Sequence, residues 1–318
     1  VTANKPRVLV LAGGISHERE ISLRSGRRVA DALTEQGIRV ELLDPDAGLI
    51  ERLADDPPDV VWPVLHGAGG EDGSLFALLE LLGTPWIGPT SASARLAWDK
   101  PTASTVVSRA GVAVPHSIVL PRDAFRDLGT AGILHTIGER FRMPVVVKPA
   151  QGGSAQGVTI VTATDDLPRA MVDAYSYHDV AVVDSAVIGT EIAVGVIDTG
   201  DGPVALPAVE IEALSGTYGF DARYTAGLTR FYTPARLDAG AAKRAAEDAI
   251  TAHAALGLGR LSRVDFIVDA EGTPWFLEAN VTPGLTETSL VPQALEAAGH
   301  DLGWIYSALV DAALYSSV

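Results

Sequence analysis

The apolar positions of this chain fall into short runs punctuated by glycine, proline and charge. Val8-Leu9-Val10-Leu11-Ala12 stops at the pair Gly13-Gly14, and over residues 22–36 the apolar positions Leu23, Val29, Ala32 and Leu33 recur at helical spacing. This predicts a strand, a glycine turn and a helix. Residues 40–43 and 60–65 are further short apolar runs, and residues 75–82 read as a helix before a turn at Gly83 and Pro85. Continuous apolar runs suit strands buried on both faces. The first ~90 residues are therefore expected to form an open parallel sheet with functional loops at its strand ends.

A second unit follows. Residues 101–111 and 130–141 read as helices, and residues 117–120, 144–148 and 158–161 as strands, the last two joined by a loop of Gly, Ser and Gln. Strands are expected at 180–184 and 191–197. Residues 216–234 are aromatic and charged without clear period, which reads as a long loop, and long ordered loops are usually functional. Ala239 opens an alanine-rich helix to residue 256, strands at 263–269 and 275–278 are joined by a Glu-Gly turn, and two helices close the chain.

Length and charge narrow the class. At 318 residues the chain is about twice the rough domain prior of 150, so two or three domains are expected. The net charge of −16 argues against a protein that holds nucleic acid or an anionic membrane surface. No run of 18 apolar residues occurs, and Val8 to Ala12 is too short for the apolar core of a signal peptide. With no cysteine, disulfides, thiolate metal sites and cysteine nucleophiles are excluded. A cytoplasmic protein is expected.

Three glycine-containing segments could cradle phosphate: Gly13-Gly14, residues 66–73 (HGAGGEDG) and residues 151–157 (QGGSAQG). None contains Gly-Lys-Ser/Thr or has GxGxxG spacing, and Gln156 stands where GxSxG needs its last glycine. Each by itself is equally a plain turn. Of 24 lysines and arginines only four are lysines, so Lys148, which closes the run Val145-Val146-Val147 beside a glycine loop, stands out. A lysine ending a buried strand is costly unless it meets an anion such as phosphate, or simply reaches solvent at an edge. Lys100, after Trp98-Asp99, is less specific.

The strongest constellation is Arg263-Val264-Asp265 with Glu278-Ala279-Asn280 on the next strand. Residues two apart share a face, so Arg263 and Asp265 point together, as do Glu278 and Asn280. Two carboxylates and an amide oxygen are hard ligands suited to Mg²⁺ bound with nucleotide phosphates. The bland reading is a surface ladder of ion pairs, but Phe266, Ile267, Trp275, Phe276 and Leu277 mark the strands as core-packed. The seven histidines, at 17, 66, 116, 135, 178, 253 and 300, include no zinc spacing, and only His66, leading a glycine loop, draws attention. Nothing in the spacing supports a Ser-His-Asp hydrolase.

Taken in order, GGISHEREISLRSG at 13–26, HGAGGEDG at 66–73, VVVKPAQGGSAQGV at 145–158, YGFDARY at 218–224, RVDF at 263–266 and LEANVTPGLTETSLVP at 277–292 resemble the D-alanine–D-alanine ligases of the ATP-grasp superfamily. The resemblance implies a mixed α/β and α+β architecture: an ATP-grasp fold behind an N-terminal open parallel α/β domain. Its units would span residues 1–97, 98–186 and 187–318, with ATP gripped between the last two. It implies that one D-alanine carboxylate is phosphorylated by ATP with Mg²⁺, Mn²⁺ being able to substitute, and that the amine of a second D-alanine then displaces phosphate. Nucleic-acid and membrane partners are not expected; a homodimer is.

By the same resemblance Glu18 holds the first substrate's ammonium with His66 nearby, while Ser154 and Tyr224 bond Glu18 and close the site. Lys100, Lys148, Gly152, Gly153 and Arg223 face the phosphates, Asp184 the adenine and Glu191 the ribose. Asp265, Glu278 and Asn280 are the implied magnesium ligands, and Arg263 the oxyanion partner. Gly284, Ser289 and Leu290 are implied to receive the second substrate. The chain departs from the family at Gln151 to Gly157, at Arg223 in place of lysine, at Asp184-Ser185-Ala186 in the adenine hinge, and at Phe76. A relative with another amino-acid or hydroxy-acid acceptor, and a silent nucleotide-binding protein, are the alternatives.

Overall fold

The computed structural model describes residues 5–214 and 227–315. Three sheets follow one another along the chain. The first is parallel, with β1 (Arg7–Leu11) between β2 (Arg39–Leu43) and β3 (Val60–Pro63). The second is antiparallel in the order β4-β7-β5-β6, from β4 (Ser117–Pro121), β5 (Val145–Pro149), β6 (Thr159–Val161) and β7 (Val180–Ser185). The third is antiparallel in the order β11-β10-β8-β12-β13, with a short β9 on β8. Its strands are β8 (Thr190–Ile197), β9 (Val204–Ala205), β10 (Val209–Ala213), β11 (Thr229–Tyr232), β12 (Leu261–Val268) and β13 (Pro274–Asn280).

The period-two rule explains how these sheets are covered. On β1, Leu9 and Leu11 join a core with Leu75, Phe76 and Leu79 of the helix Ser74–Leu82 and with Phe266 and Phe276 of the third sheet. Val8 and Val10 turn the other way, with Trp62, toward Ile305, Tyr306 and Leu309 of the closing helix Leu302–Leu314. Trp62 and Tyr306 meet edge to face at 5.1 Å. The first sheet is thus buried between the helix Ser74–Leu82 and the chain's last helix, and the core on its Leu9 face continues to Val264, Phe266 and Phe276 of β12 and β13.

The second sheet has its own core. Val145 and Val147 of β5 and Ala181 and Val183 of β7 face Ile137, Phe141, Leu167 and Met171. Their alternates, Lys148 on β5 and Val182 and Asp184 on β7, line a cavity on the opposite face. The helix Lys100–Arg109, which begins the segment expected to be the central unit, packs instead against β13 and the helix Ala239–Leu256.

Several elements lie outside the sequence expectations. Helices occur at Leu49–Asp55, Ala68–Glu71, Ser91–Trp98, Arg122–Leu128 and Leu167–Tyr175. Ser91–Trp98 lacks an apolar stripe but is capped by Thr90, whose side chain accepts from the Ser93 amide. The loop expected at 216–234 is corrected at its end: residues 229–232 form β11, paired antiparallel with β10. Tyr224 and Arg223, with the rest of 215–226, lie outside the described residues.

One close approach sets where the first helix, Arg19–Glu35, begins. A Cβ on Gly26 would sit 2.3 Å from the Ala12 methyl at the end of β1, so only glycine lets the helix lie this near the strand. Gly26→Ala is expected to cost about 1–3 kcal/mol through forced repacking. Adding Ala12→Gly should return part of that, because the clash partner is the Ala12 methyl. Urea unfolding of both variants checks this, and equal stability of Gly26→Ala and the parent would contradict the close packing.

Candidate active site

A cavity of about 180 Å³ lies where the ends of β1, β12 and β13 meet the loop after β5. The turn at the end of β1 is fixed by Ser22, which accepts from the Gly13 amide at 2.8 Å and donates to the Val64 carbonyl at 2.5 Å. Arg19 adds a bond to the Gly14 carbonyl at 2.7 Å. This brings Glu18, just ahead of the first helix turn, to the cavity wall, where the Ser154 hydroxyl donates to its Oε1. The contact expected between Ser154 and Glu18 is present.

His66 is buried beside them. Its Nδ1 lies 2.9 Å from the Thr282 carbonyl, which only accepts, so Nδ1 carries the hydrogen and Nε2 presents a lone pair. Burial lowers the His66 pKa, against the raising influence of Glu18, and keeps the ring neutral. Nε2 is buried with no hydrogen-bond partner among the described residues. The Thr282 hydroxyl, bonded to the Leu65 carbonyl at 2.7 Å, locks the two loops together.

Glu71 is a cavity residue that the sequence does not single out. It is buried, and its Oε1 accepts from the Gly67 amide at 2.8 Å. Burial first, then the charge of Glu18, push its carboxyl up to about 8. Gly67 has φ +77°, and a Cβ there would come within 3.5 Å of Glu18 Oε2. Glu18 and Glu71 therefore flank the same glycine.

The loop after β5 is tied down on its outer side. Lys100 donates from its amide to the Ala150 carbonyl at 3.0 Å and from Nζ to the Gly152 carbonyl at 2.7 Å. Gln151 reaches Asp99 Oδ2 at 3.2 Å, and Asp99 itself caps the helix Lys100–Arg109. Ser154 and Ala155 hold left-handed backbone, φ 55° and 54°, a costly state for side-chain-bearing residues that turns the Ser154 hydroxyl to Glu18. Gly152 and Gly153 line the cavity with it.

Lys100 Nζ also lies 3.2 Å from Glu278 and borders a second, larger cavity of about 870 Å³. There Lys148 Nζ pairs with Asp184 Oδ2 at 2.8 Å, and Ser117 donates to Asp184 Oδ1 at 2.5 Å. Ile188 and Trp275 supply apolar wall. A cavity with apolar sides, one buried acid and two lysines at its inner end suits a flat base with a polyanionic tail. Glu191, half-buried on β8 opposite Ile267, stands outside the residues lining either cavity.

On the third sheet, Asp265 faces Glu278 and Arg263 faces Asn280 in register. The Arg263 guanidinium takes both oxygens of Asp265, each at 2.7 Å, a bidentate geometry. Arg263, Glu278 and Asn280 line the first cavity, while Asp265, expected to point with Arg263, is buried and stands outside the lining residues. At its far end Gly284, Thr286, Ser289 and Leu290 form the approach to the helix Leu290–Ala297. The Ser289 hydroxyl accepts from the Thr286 amide at 3.0 Å and lies 2.8 Å from the Thr286 hydroxyl. A hydroxyl beside a helix N-terminus is a seat for an anion such as a carboxylate.

Among the residues of this wall that escape sequence reasoning are Glu71, Thr282 and Phe231. Glu71 sits inside the HGAGGEDG segment, yet nothing in sequence separates this buried acid from the half-buried Asp72 beside it. Phe231 lies within the segment expected to be a functional loop, and reaches the cavity from β11.

Among the described residues no helix is long and apolar enough to cross a membrane. Residues 106–314 match the family described as D-ala D-ala ligase C-terminus. A D-alanine–D-alanine ligase of Anaeromyxobacter sp. (strain K) is 40% identical over 293 residues, covering 92% of each chain. Among solved structures, the VanG D-Ala:D-Ser ligase from Enterococcus faecalis has TM-score 0.84 at 28% identity, over 98% of this chain and 100% of that one. The D-alanine–D-alanine ligase from Bacillus anthracis complexed with ATP has TM-score 0.79 at 27% identity, over 98% and 96%. Relatedness over nearly the whole length, together with the ATP-grasp sheets that frame these two joined cavities, makes the chain a member of the D-alanine–D-alanine ligase family.

Proposed function

We propose that this protein joins two D-alanines at the expense of ATP, making the dipeptide used in peptidoglycan precursors, in the cytoplasm. The observation that carries the reading is the first cavity, where an ammonium seat (Glu18, His66), a cationic centre (Arg263) and a carboxylate seat (Ser289) line one space that meets the second cavity at Lys100.

The first D-alanine sets its ammonium against Glu18 and the His66 lone pair, and its carboxylate toward Arg263. ATP fills the second cavity, its adenine near Asp184 and its phosphates toward Lys148, Lys100 and the backbone of Gly152 and Gly153, while Glu191, outside that lining, would meet only a ribose that projects beyond it. An oxygen of the carboxylate attacks the γ-phosphorus, ADP leaves, and an acylphosphate forms. The second D-alanine, its carboxylate held by Ser289 and the amide of Leu290 with Gly284 leaving room, attacks the acyl carbon with its amine. The C–N bond forms, phosphate departs with the C–O electron pair, and the amine proton passes to solvent. Arg263 neutralises the oxygen that becomes negative in the tetrahedral stage, where charge stabilisation contributes most. Arg223 and Tyr224 belong to the same reading but lie outside the described residues.

The donor set fits Mg²⁺. Asp265 and Glu278 stand opposite each other, and Asn280 shares the face of Glu278 with its amide nitrogen buried and without a hydrogen-bond partner among the described residues. Among the described residues no three His, Cys, Asp or Glu side chains gather as a metal cluster, so the amide oxygen of Asn280 and substrate oxygens have to complete the shell. When bound, Mg²⁺ supplies charge neutralisation at the transferring phosphoryl group.

With D-alanine, ATP and Mg²⁺ the protein is expected to release phosphate and give a product with the mass of D-alanyl-D-alanine. The likeness to a D-Ala:D-Ser ligase makes D-serine the competitor to include, and a predominant D-alanyl-D-serine product, or none from D-alanine, would overturn the acceptor. Glu278→Gln and Arg263→Lys are each expected to lower kcat by about 100-fold or more, the scale of removing a transition-state charge partner, with the unfolding midpoint little changed. Near-normal turnover in either would contradict its role. Lys148→Ala should raise the KM for ATP well above that for D-alanine, and lower stability by about 3 kcal/mol because Asp184 is left buried without its cation. A change confined to the D-alanine KM would remove Lys148 from the nucleotide site.

A further inference from the structure

Glu71 has no part in the reaction as derived above, yet it is as deeply placed as any group that does. Its carboxyl lies in the wall of the first cavity, and its Oε1 is held by the Gly67 amide at 2.8 Å. Glu18 Oε2 would be only 3.5 Å from a Cβ on that same Gly67. Two carboxylates and the His66 lone pair therefore border one end of the cavity. Like charges bordering one end of a buried cavity resist ionising together, and the charge of Glu18 raises the Glu71 carboxyl.

The surroundings offer Glu71 little compensation. His66, on its own loop, is neutral and donates its single hydrogen to Thr282. Arg263, reaching in from β12, favours ionisation, but its guanidinium is spread across Asp265. Glu278, from β13, opposes it. Lys100 is directed at Gly152 and Glu278. Arg95, on the helix Ser91–Trp98 that packs on Ala68–Glu71, turns to Ser91 and acts on Glu80. Among the described residues no cation pairs with Glu71.

An amino acid brings the missing charge. We propose that Glu71 holds a proton in the substrate-free site and gives it up when the ammonium of the first amino acid enters beside Glu18, so that substrate binding expels one proton to solvent. The inference rests on the reading of Glu18 and His66 as the ammonium seat. The exchange balances: the ammonium keeps its three hydrogens, the Glu71 O–H bond breaks, its proton passes to buffer, and the added negative charge offsets the charge of the ligand. An N–H of the ammonium then faces an anionic acceptor where a neutral acid stood. Glu71 is thus a positioning residue that sets the pH at which the first substrate binds well.

The sign of the dependence follows from a carboxyl raised to about 8. Below that pH the proton must be removed before the ammonium is held tightly, so affinity for the first D-alanine should rise by about tenfold from pH 7 to pH 9 and level off. The ligand's own ammonium stays largely charged over this range.

Calorimetric titration of D-alanine into the full chain, with Mg²⁺ and a non-hydrolysable ATP analogue, in buffers of different ionisation enthalpy, reads the proton directly. At pH 7 the parent is expected to release roughly nine-tenths of a proton per first-site D-alanine, falling close to zero by pH 9. Glu71→Gln is expected to bind D-alanine without proton release and with a flat pH profile, a change that loss of loop packing alone would not produce. Buffer-independent heats for the parent at pH 7, or full release from Glu71→Gln, would overturn the proposal. If that variant does not fold, the pH series on the parent decides alone. D-alanine that does not bind the parent at any pH is a different result, and would overturn the ammonium seat itself and this inference with it.

Discussion

Buried charge is the constraint around which the rest of this site is arranged. A chain with 40 acids and only 24 lysines and arginines carries several of those acids into its interior, each needing a counterpart. Asp184 has Lys148, Asp265 has Arg263, and Glu278 has Lys100. Two of the four lysines of the chain are spent in this way, around two cavities that share Lys100 in their lining. Each of these pairs joins different parts of the local structure: neighbouring strands of the second sheet, alternate residues of β12, and a helix start against β13. Removing the cation of the most buried pair, Lys148 with Asp184, disturbs geometry as well as electrostatics. Glu71 is handled differently, kept neutral by a proton, at the end of the cavity where a positively charged group is expected to arrive.

The packing makes that arrangement possible. Because the core between the first sheet and the helix Ser74–Leu82 continues into the third sheet, Glu18 in the turn after β1 and Arg263 on β12 are anchored to one shared core. The second sheet, with its separate core, contributes Lys148 and Asp184 from its open face and the glycine loop that reaches Glu18. Lys100 touches both cavities, which makes it the hinge point of the electrostatics between them. The left-handed Ser154 and Ala155 show that this loop is held against Glu18 in a conformation that ordinary residues adopt only under constraint.

Much of this was legible in the sequence wherever period and polarity coincide. The run ending in Lys148 reads as a strand, and alternation alone puts Lys148 on the face away from Val145 and Val147. The pairing of Arg263 with Asp265 and of Glu278 with Asn280 on shared faces follows from the same rule, and the register of β12 on β13 brings the two pairs together. Short elements were not legible. Ser91–Trp98 has no apolar stripe, and β11 is a four-residue strand whose stability comes from pairing with β10 rather than from its own pattern. Glu71 was hidden for another reason: its altered acidity comes from burial and from Glu18, 53 positions away in the chain, and neither is written in its neighbours.

One chemical step links the two cavities: the first substrate's carboxylate takes the terminal phosphoryl group of ATP. Labelling that carboxylate with ¹⁸O tests it most directly. If D-[¹⁸O₂]alanine is turned over with ATP and Mg²⁺, one labelled oxygen is expected in each phosphate released, because the acyl C–O bond breaks when the second amine attacks. Phosphate released in step with dipeptide but carrying no label would contradict the acylphosphate, and with it the alignment of the two cavities through Lys100 and Arg263.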